Sequence, residues 1–215
     1  MKKTIITLII FAFALNSCGI FRRAETPPDP TFDTGVVING IRWATRNVDA
    51  PGTFAPTPQC FGMYYQWNRK KGWNNTDETV VGWDTTYPTG TRWYAENDPC
   101  PEGWRVPTAN ELRRLVYAGS DWVTINGVNG RLFGDAPYQI FLPAAGDRWH
   151  TSGEFGWMGR QGNRDFGRYF SRITRQPQQH IRYNTAEALF FTEDIVSVMS
   201  DWQRFGMSIR CVAEE

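Results

Sequence analysis

Few residues of this chain have the types and spacing that enzyme chemistry requires. The sequence contains two histidines, His150 and His180, and neither belongs to a metalloprotease motif. A nucleophile elbow, a phosphate-binding loop and a dinucleotide fingerprint are absent as well. Glycosidase carboxylates need not be adjacent in sequence, so Glu102, Glu193 and Asp194 stay candidates for an unrecognised hydrolase. The sequence itself predicts a protein that is not an enzyme and has no catalytic residues.

Aromatic and arginine side chains in the last third of the chain have the chemistry of a binding surface. Large rings and planar guanidinium groups dominate binding hot spots, and flat indole faces suit sugar rings. Packing in the core is the alternative use of the same tryptophans. If they bind a ligand, residues 147–170 and 201–205 form one exposed patch. The candidate ligand-binding residues are Trp149, His150, Trp157, Arg160, Tyr169, Trp202 and Arg204.

No metal, cofactor or nucleic acid is expected from the composition. Cys-x-x-Cys does not occur, and both histidines lie far from every cysteine in sequence, which disfavours a zinc site. The aspartates lack the spacing of a calcium-binding loop, and the sequence leaves calcium dependence open. The formal net charge is +1, and it becomes −1 without the two lysines of residues 1–17. Such a nearly neutral chain has no electrostatic reason to bind a nucleic acid.

Residues 1–18 resemble an export signal that ends in a lipidation site. Lys2 and Lys3 start the segment, residues 5–15 form an apolar run, and Ser17 precedes Cys18. The run is shorter than the about 20 apolar residues that a membrane-spanning helix needs. A small residue before a cysteine resembles a bacterial lipobox, which predicts that Cys18 is lipidated and becomes the first residue of the mature chain. The alternative is an ordinary cleaved secretory signal.

The remaining chain divides into a tether and one domain. Residues 18–35 are rich in proline and lack apolar periodicity, which predicts a semi-extended tether between the lipid and the domain. Residues 36–215 are enough for a single domain with a sizeable core. Aromatic residues make up 15% of the chain and it has 20 glycines, which favours many short strands joined by tight turns.

One helix must organise this domain. Thr108 and Glu111 have the spacing of a capping box, and Leu112, Leu115 and Val116 fall on one face of the helix that follows. The pattern predicts a helix over residues 108–118, ended by a glycine at 119.

Two hairpins flank this helix in sequence. Asn-Gly pairs at 39–40 and 126–127 separate strand-like segments, and each pair predicts a tight hairpin turn. Helical periodicity is scarce after residue 119, where residues 138–142, 167–173, 186–192, 195–199 and 207–212 are strand candidates. The predicted class is α+β, with mostly antiparallel short strands, one main helix and long loops.

Four segments of the domain have distinctive motifs, at residues 41–48, 100–108 with Glu111, 141–146 and 206–212. In this order they resemble the Fibrobacter succinogenes major paralogous domain, although Arg46 stands where the family has an acidic residue. The resemblance implies a secreted or lipid-anchored bacterial cell-envelope protein whose biochemical activity is not established. The layout of that domain is similar to the C-type lectin-like fold, which is therefore the expected architecture.

Cys100 and Cys211 fall in the second and fourth of these segments. Cys100 lies before the helix and Cys211 in the last strand, and a disulfide joins them if the last strand returns beside the first. Two buried thiols are the alternative. Three cysteines remain after Cys18, so at most one intramolecular disulfide forms. Cys60 is then expected to be an unpaired thiol with the role of a small buried hydrophobe. Arg210, beside Cys211, is expected to pair with a carboxylate.

These observations lead to one hypothesis and one alternative. The hypothesis is a non-catalytic, lipid-anchored cell-envelope protein with a lectin-like domain, located at the outer membrane, that recognises a glycan or a protein through exposed late loops. Its expected partners are the membrane, through the lipid on Cys18, and that ligand. The alternative is a structural subunit of an envelope or extracellular assembly that has no small ligand.

Overall fold

The computed structural model of the protein describes residues 28–155, 165–174 and 184–214. In this part of the chain, twelve short strands form four small antiparallel sheets around one α-helix, α1 (Ala109–Tyr117). The predicted α+β class with mostly antiparallel strands is confirmed. No helix in the described part is long and apolar enough to cross a membrane.

The strands are two to eight residues long and group into sheets of neighbours along the chain, with one exception in the first sheet. That sheet contains β1 (Val36–Ile38), β2 (Ile41–Trp43), β12 (Val212–Ala213) and β5 (Trp104–Arg105). The second sheet pairs β3 (Tyr64–Tyr65) with β4 (Gly72–Trp73). The third contains β6 (Ser120–Ile125), β7 (Val128–Phe133) and β8 (Ile140–Pro143), and the fourth β9 (Gly167–Thr174), β10 (Thr185–Phe191) and β11 (Val196–Trp202).

The first sheet joins the two ends of the domain. Val212 of β12 pairs with Trp43 of β2 on one side and with Arg105 of β5 on the other. The expectation that the last strand returns beside the first is therefore confirmed. The same arrangement brings Cys211 to Cys100, and the two form a disulfide with a Cα–Cα distance of 6.1 Å.

Cys60 differs from its prediction in one respect. It is buried as expected, with 4% of its surface exposed. It is disulfide-bonded, however, and no cysteine in the described part of the chain is a free thiol. The prediction that Cys60 is an unpaired thiol, which followed from counting three cysteines after Cys18, is therefore wrong.

Helix α1 begins where its capping box predicts. The Thr108 side chain accepts from the Glu111 amide at 3.2 Å, and the Glu111 carboxylate accepts from the Thr108 amide at 2.6 Å. Arg105 donates to both oxygens of the same carboxylate, at 2.9 and 2.7 Å. Leu112 and Leu115 are fully buried on the face that packs toward the fourth sheet.

Both Asn-Gly hairpins are confirmed. Asn39 and Gly40 have φ angles of 49° and 77°, and Asn126 and Gly127 have 52° and 79°. Positive φ at both central residues is the requirement of a type I′ turn, which asparagine and glycine meet at low cost. The local sequence alone therefore sets the β1–β2 and β6–β7 registers.

Contacts of the domain begin before the predicted boundary at residue 36. The Asp33 carboxylate accepts from the Thr45 amide and forms a buried ion pair of 3.2 Å with Arg46. The Arg46 guanidinium also donates to the carbonyls of Phe32 and Ala55. The last part of the predicted tether is therefore fastened to the domain, and Arg46 has a structural partner.

Arg210 corrects another expectation. Its guanidinium is fully buried and donates to the Asn47 side chain at 2.7 and 3.0 Å, and to the carbonyls of Ala44 and Phe141. These partners are amide and carbonyl oxygens rather than a carboxylate. Burial lowers the pKa of Arg210 to about 10, so the side chain stays charged at neutral pH.

Candidate functional site

Four aromatic side chains meet at one end of the described structure. We call Trp149, His150, Trp202 and Phe205 the late aromatic cluster. The His150 ring centroid lies 3.9 Å from that of Trp202, 4.7 Å from Trp149 and 5.1 Å from Phe205. Trp149 and Trp202 are half-buried, whereas His150 and Phe205 are buried.

A pair of reciprocal backbone bonds holds the two segments of this cluster together. The Arg148 amide donates to the Gly206 carbonyl at 2.8 Å, and the Gly206 amide returns a bond of 2.9 Å to Arg148. Trp149 and His150 therefore leave one side of this bridge, and Phe205 leaves the other. Trp202 ends β11, three residues earlier.

The Arg148 side chain fixes the neighbouring loops. Its guanidinium is fully buried and donates to the carbonyls of Asn74, Asp77 and Gly153, at 2.6, 2.8 and 2.6 Å. Burial lowers its pKa to about 10, which leaves it charged at neutral pH. One cation thus ties the segment around residue 75 to the segment that carries Trp149 and His150.

His150 is a neutral ring at physiological pH. Burial, aided by the charge of Arg204, lowers the pKa of His150 to about 4. Its Nδ1 atom has no hydrogen-bond partner in the described part of the structure. The side chain therefore serves as an aromatic wall between Trp149 and Trp202.

Beneath the cluster lies a buried group of charges. The Arg168 guanidinium bridges Asp147 and Asp201, with N–O distances of 2.7 and 3.2 Å, and lies 4.9 Å from the Phe205 ring centroid. Burial raises the pKa of Asp147 to about 6, opposed by Arg168 and assisted by Asp201. Burial also raises the pKa of Asp201. The three residues link β9 and β11 to the segment that precedes Trp149.

A polar cleft of about 480 Å³ lies next to the cluster. The β3–β4 hairpin loop forms one wall with Gln66, Asn68 and Arg69, and Trp73 of β4 also lines the cleft. Asp84 and Asn97 line the opposite side.

Trp83 separates the cleft from the cluster. Its ring centroid lies 5.0 Å from that of Trp73, and its Nε1 atom donates to the His150 carbonyl at 3.2 Å. Arg204 holds the same segment, because it donates to the Thr85 carbonyl at 2.8 Å and covers the Tyr87 ring at 4.2 Å. We call residues 82–87 the bridging segment.

The structure brings together four of the seven predicted ligand-binding residues. They do not form the exposed patch that was expected, because His150 is 6% exposed and the rings of Trp149 and Trp202 pack partly against the core. Trp149, His150 and Trp202 form the late aromatic cluster, and Arg204 borders it. Trp157 and Arg160 lie outside the described residues.

Tyr169 is a correction. It is fully buried, and its hydroxyl donates to the Pro143 carbonyl at 2.8 Å and lies 3.3 Å from the Asn47 amide nitrogen. Both faces of β9 are covered at this point, since the adjacent Phe170 is fully buried as well, so Tyr169 has no surface to offer a ligand.

The cleft was missed at the level of sequence, although one signal pointed to it. Lysine occurs only at positions 2, 3, 70 and 71, and every other cation of the chain is an arginine. Lys70 and Lys71 both line the cleft. The remaining lining comes from three separate segments, whose proximity depends on long-range packing.

In the described part of the chain, no group of three or more histidine, cysteine or acidic side chains is arranged to hold a metal ion. The chain matches no family of known proteins, no curated protein and no solved structure.

Proposed function

We propose that this protein is a non-catalytic, lipid-anchored binding module of the bacterial cell envelope. Its domain would have a C-type lectin-like layout and belong with the Fibrobacter succinogenes major paralogous domains that its motifs resemble. The late aromatic cluster would contact a glycan or a protein, and a lipid on Cys18 would hold the domain at the outer membrane.

The clustering of Trp149, His150 and Trp202 is the observation that carries this proposal. Two segments that are about fifty residues apart in sequence deliver half-buried indoles to one place. Half-buried indoles retain surface for a ligand while their packing reduces the entropy lost on binding. The Arg168 bridge and the Arg148 bonds keep that surface rigid.

Replacing Trp202 tests the ligand-binding role. The fluorescently labelled full chain is applied to a printed array of neutral and acidic glycans, and to envelope proteins separated on a membrane. Trp202→Ala is expected to weaken binding at least about thirtyfold, which corresponds to the lower limit of hot-spot losses, about 2 kcal/mol.

Trp122→Ala is the matched control, because Trp122 is also half-buried but lies in β6 of the third sheet and packs on Phe191 of the fourth sheet. It should keep the wild-type signal. The proposed function is contradicted if the wild-type chain binds neither the glycans nor the envelope proteins, or if the Trp202 variant binds as the wild type does.

The state of the Cys18 sulfur tests the anchor. A lipid thioether on Cys18 excludes a disulfide between Cys18 and Cys60, and Cys18 is the one cysteine of the sequence that remains for such a disulfide within the chain. After expression in a bacterium that processes lipoproteins, mass spectrometry of the N-terminal peptide should find a diacylglycerol thioether on Cys18. Cys18→Ser should remove both the lipid and the membrane fraction. A Cys18 that is recovered in a disulfide contradicts the lipid anchor.

A structural subunit is the second candidate, because one strand is available for pairing. β11 is an edge strand in the described part of the fourth sheet, and its Met199 is 39% exposed. Exposed edges recruit further strands. Concentration-dependent oligomers in analytical ultracentrifugation, lost in Met199→Lys, would favour this function.

A further inference from the structure

The polar cleft differs from the late aromatic cluster in its charge. Arg69, Lys70 and Lys71 line it with a single carboxylate, that of Asp84. Arg69 and Asp84 neutralise each other in an ion pair of 2.9 Å. The cleft therefore keeps two positive charges, both on lysines.

The charge of Lys71 interacts with that of Asp84, but Asp84 is already paired with Arg69. Neither Lys70 nor Lys71 takes part in a described salt bridge, and both side chains are exposed at the mouth of the cleft. The Lys71 ammonium lies 3.9 Å from the centroid of the Trp73 ring. This cation–π contact holds the ammonium at the mouth without neutralising its charge.

The charge of Lys71 reaches Asp84 in the cleft wall. Burial raises the pKa of Asp84, but hydrogen bonds from Thr86 and the charges of Arg69 and Lys71 outweigh it, so that the pKa lies below its ordinary value. Asp84 thus stays ionised and keeps Arg69 in place.

The interior of the cleft is rigid. The Gln66 amide donates to the carbonyls of Asp84 and Arg204, at 2.6 and 3.1 Å, and the Asn68 amide donates to the Thr89 carbonyl at 3.0 Å. Both side chains are buried. Gln66 connects the hairpin loop to the bridging segment and Asn68 connects it to Thr89 just beyond that segment, so the cleft does not need to be ordered by its ligand.

We propose that this cleft binds an acidic saccharide, with the sugar carboxylate held by Lys70 and Lys71 and the ring seated in the cleft between Trp73, Asn97 and the bridging segment. The volume is in the range of small-ligand sites, which is about 300–1,000 Å³. A buried indole beside amide groups suits a hydroxylated ring, while the unneutralised lysines select for an anion.

The concentration of lysine at this one place supports the assignment. A chain that uses arginine for its other cations beyond residue 3 has both remaining lysines adjacent, exposed and at the mouth of one cleft. Lysine is a compact point charge with rotatable donors, and it can follow a carboxylate that arrives on differently linked sugars. The site stands on its own observations, and it does not require the late aromatic cluster to bind a glycan.

The two amines can be observed directly. Reductive methylation of the protein with ¹³C-formaldehyde gives methyl signals for its amines, and Lys70→Arg and Lys71→Arg assign the two cleft signals. Trigalacturonic acid, maltotriose and inorganic phosphate are then titrated separately. Trigalacturonic acid is expected to shift the Lys70 and Lys71 signals saturably, while maltotriose leaves both signals in place.

Charge variants complete the test. Lys71→Gln should weaken trigalacturonate binding about tenfold, the effect of losing one hydrogen bond to a charged group. Arg42→Gln removes the same charge from an exposed site on β2 and should bind as the wild type does. The proposal is overturned if maltotriose or phosphate binds as tightly as trigalacturonate. It is also overturned if no saturable shift is seen, or if Lys71→Gln has an unchanged affinity for trigalacturonate.

The experiment separates this site from the proposed function. Trp202→Ala should leave the trigalacturonate titration unchanged, because Trp202 does not line the cleft. If the arrays detect a Trp202-dependent ligand and the lysine signals do not move, only the cleft assignment fails. If the lysines respond and the arrays show no Trp202-dependent signal, only the late aromatic cluster loses its role.

Discussion

Single buried cations organise the loops of this protein. Arg148 and Arg210 are fully buried, and each satisfies its guanidinium with amide or carbonyl oxygens from distant segments. A guanidinium has five donors in a fixed plane, so one side chain can tie together several irregular segments that lack sheet pairing. This is how a chain with few long elements positions the late aromatic cluster.

His150 and Asp147 titrate in opposite senses. The pKa of His150 in the folded protein is about 4, below its ordinary 6.5, so its contribution to stability is complete above pH 6.5 and is lost as the pH falls toward 4. The pKa of Asp147 is raised to about 6, so its contribution is present at low pH and is lost as the pH rises through 6.

The His150 contribution can be isolated by one substitution. His150→Phe keeps an aromatic ring between Trp149 and Trp202 but cannot take up a proton. Between pH 7 and pH 4.5 the free energy of unfolding of the wild type should fall relative to His150→Phe by on the order of 2 kcal/mol. Urea unfolding at both pH values measures this difference, and the Asp147 contribution cancels because both chains contain it. Parallel pH profiles would contradict a buried, neutral His150.

At the scale of elements, the capping box of α1 is a local device with a measurable effect. Thr108→Ala removes the acceptor for the Glu111 amide and should lower the free energy of unfolding by about 1 kcal/mol. Thr34→Ala, at an exposed position, should stay within about 0.5 kcal/mol of the wild type. Equal midpoints of thermal unfolding in the two variants would show that the cap does not stabilise the helix.

Elements with local signals were the predictable ones. The capping box and the two Asn-Gly turns are encoded within a few residues, and the structure has the helix and both hairpins where they were expected. β3 and β4 are two residues long each and depend on a hairpin loop whose side-chain amides bond to the bridging segment and to Thr89. Such contacts have no periodicity in the sequence.

The candidate site likewise has residues that the sequence predicted and residues that it could not predict. Residue chemistry pointed to Trp149, His150, Trp202 and Arg204, because rings and guanidinium groups near the end of the chain are visible by type. It could not separate them from Tyr169, since the direction in which a strand residue points depends on the register of the whole sheet. The cleft required three segments to meet, and only its lysine pair was visible.

At the scale of the molecule, the Cys100–Cys211 bond closes most of the domain into one loop. The two cysteines are 111 residues apart, and the chain-entropy estimate for such a loop is about 4–5 kcal/mol of stabilisation. Cys100→Ser together with Cys211→Ser should lower the free energy of unfolding by that order. Guanidinium unfolding of both chains measures it.

Thr57→Ser and Ser152→Ala are the control variants for this comparison. They pass through the same mutagenesis and purification, but neither changes a cysteine. A double variant as stable as the wild type would show that the sheet pairing alone closes the loop.

The pairing of β1, β2 and β12 places the first and the last strand of the domain close together in one sheet. Val36 pairs with Trp43, which pairs in turn with Val212. Two strand spacings, about 10 Å, therefore separate Val36 from Val212. A unit with neighbouring termini can be spliced into a surface turn of an unrelated host without prying that host apart. The domain is therefore suited to insertion into another protein. It is also suited to circular permutation, with the first and last strands joined and new termini placed at an exposed turn such as Asn126-Gly127.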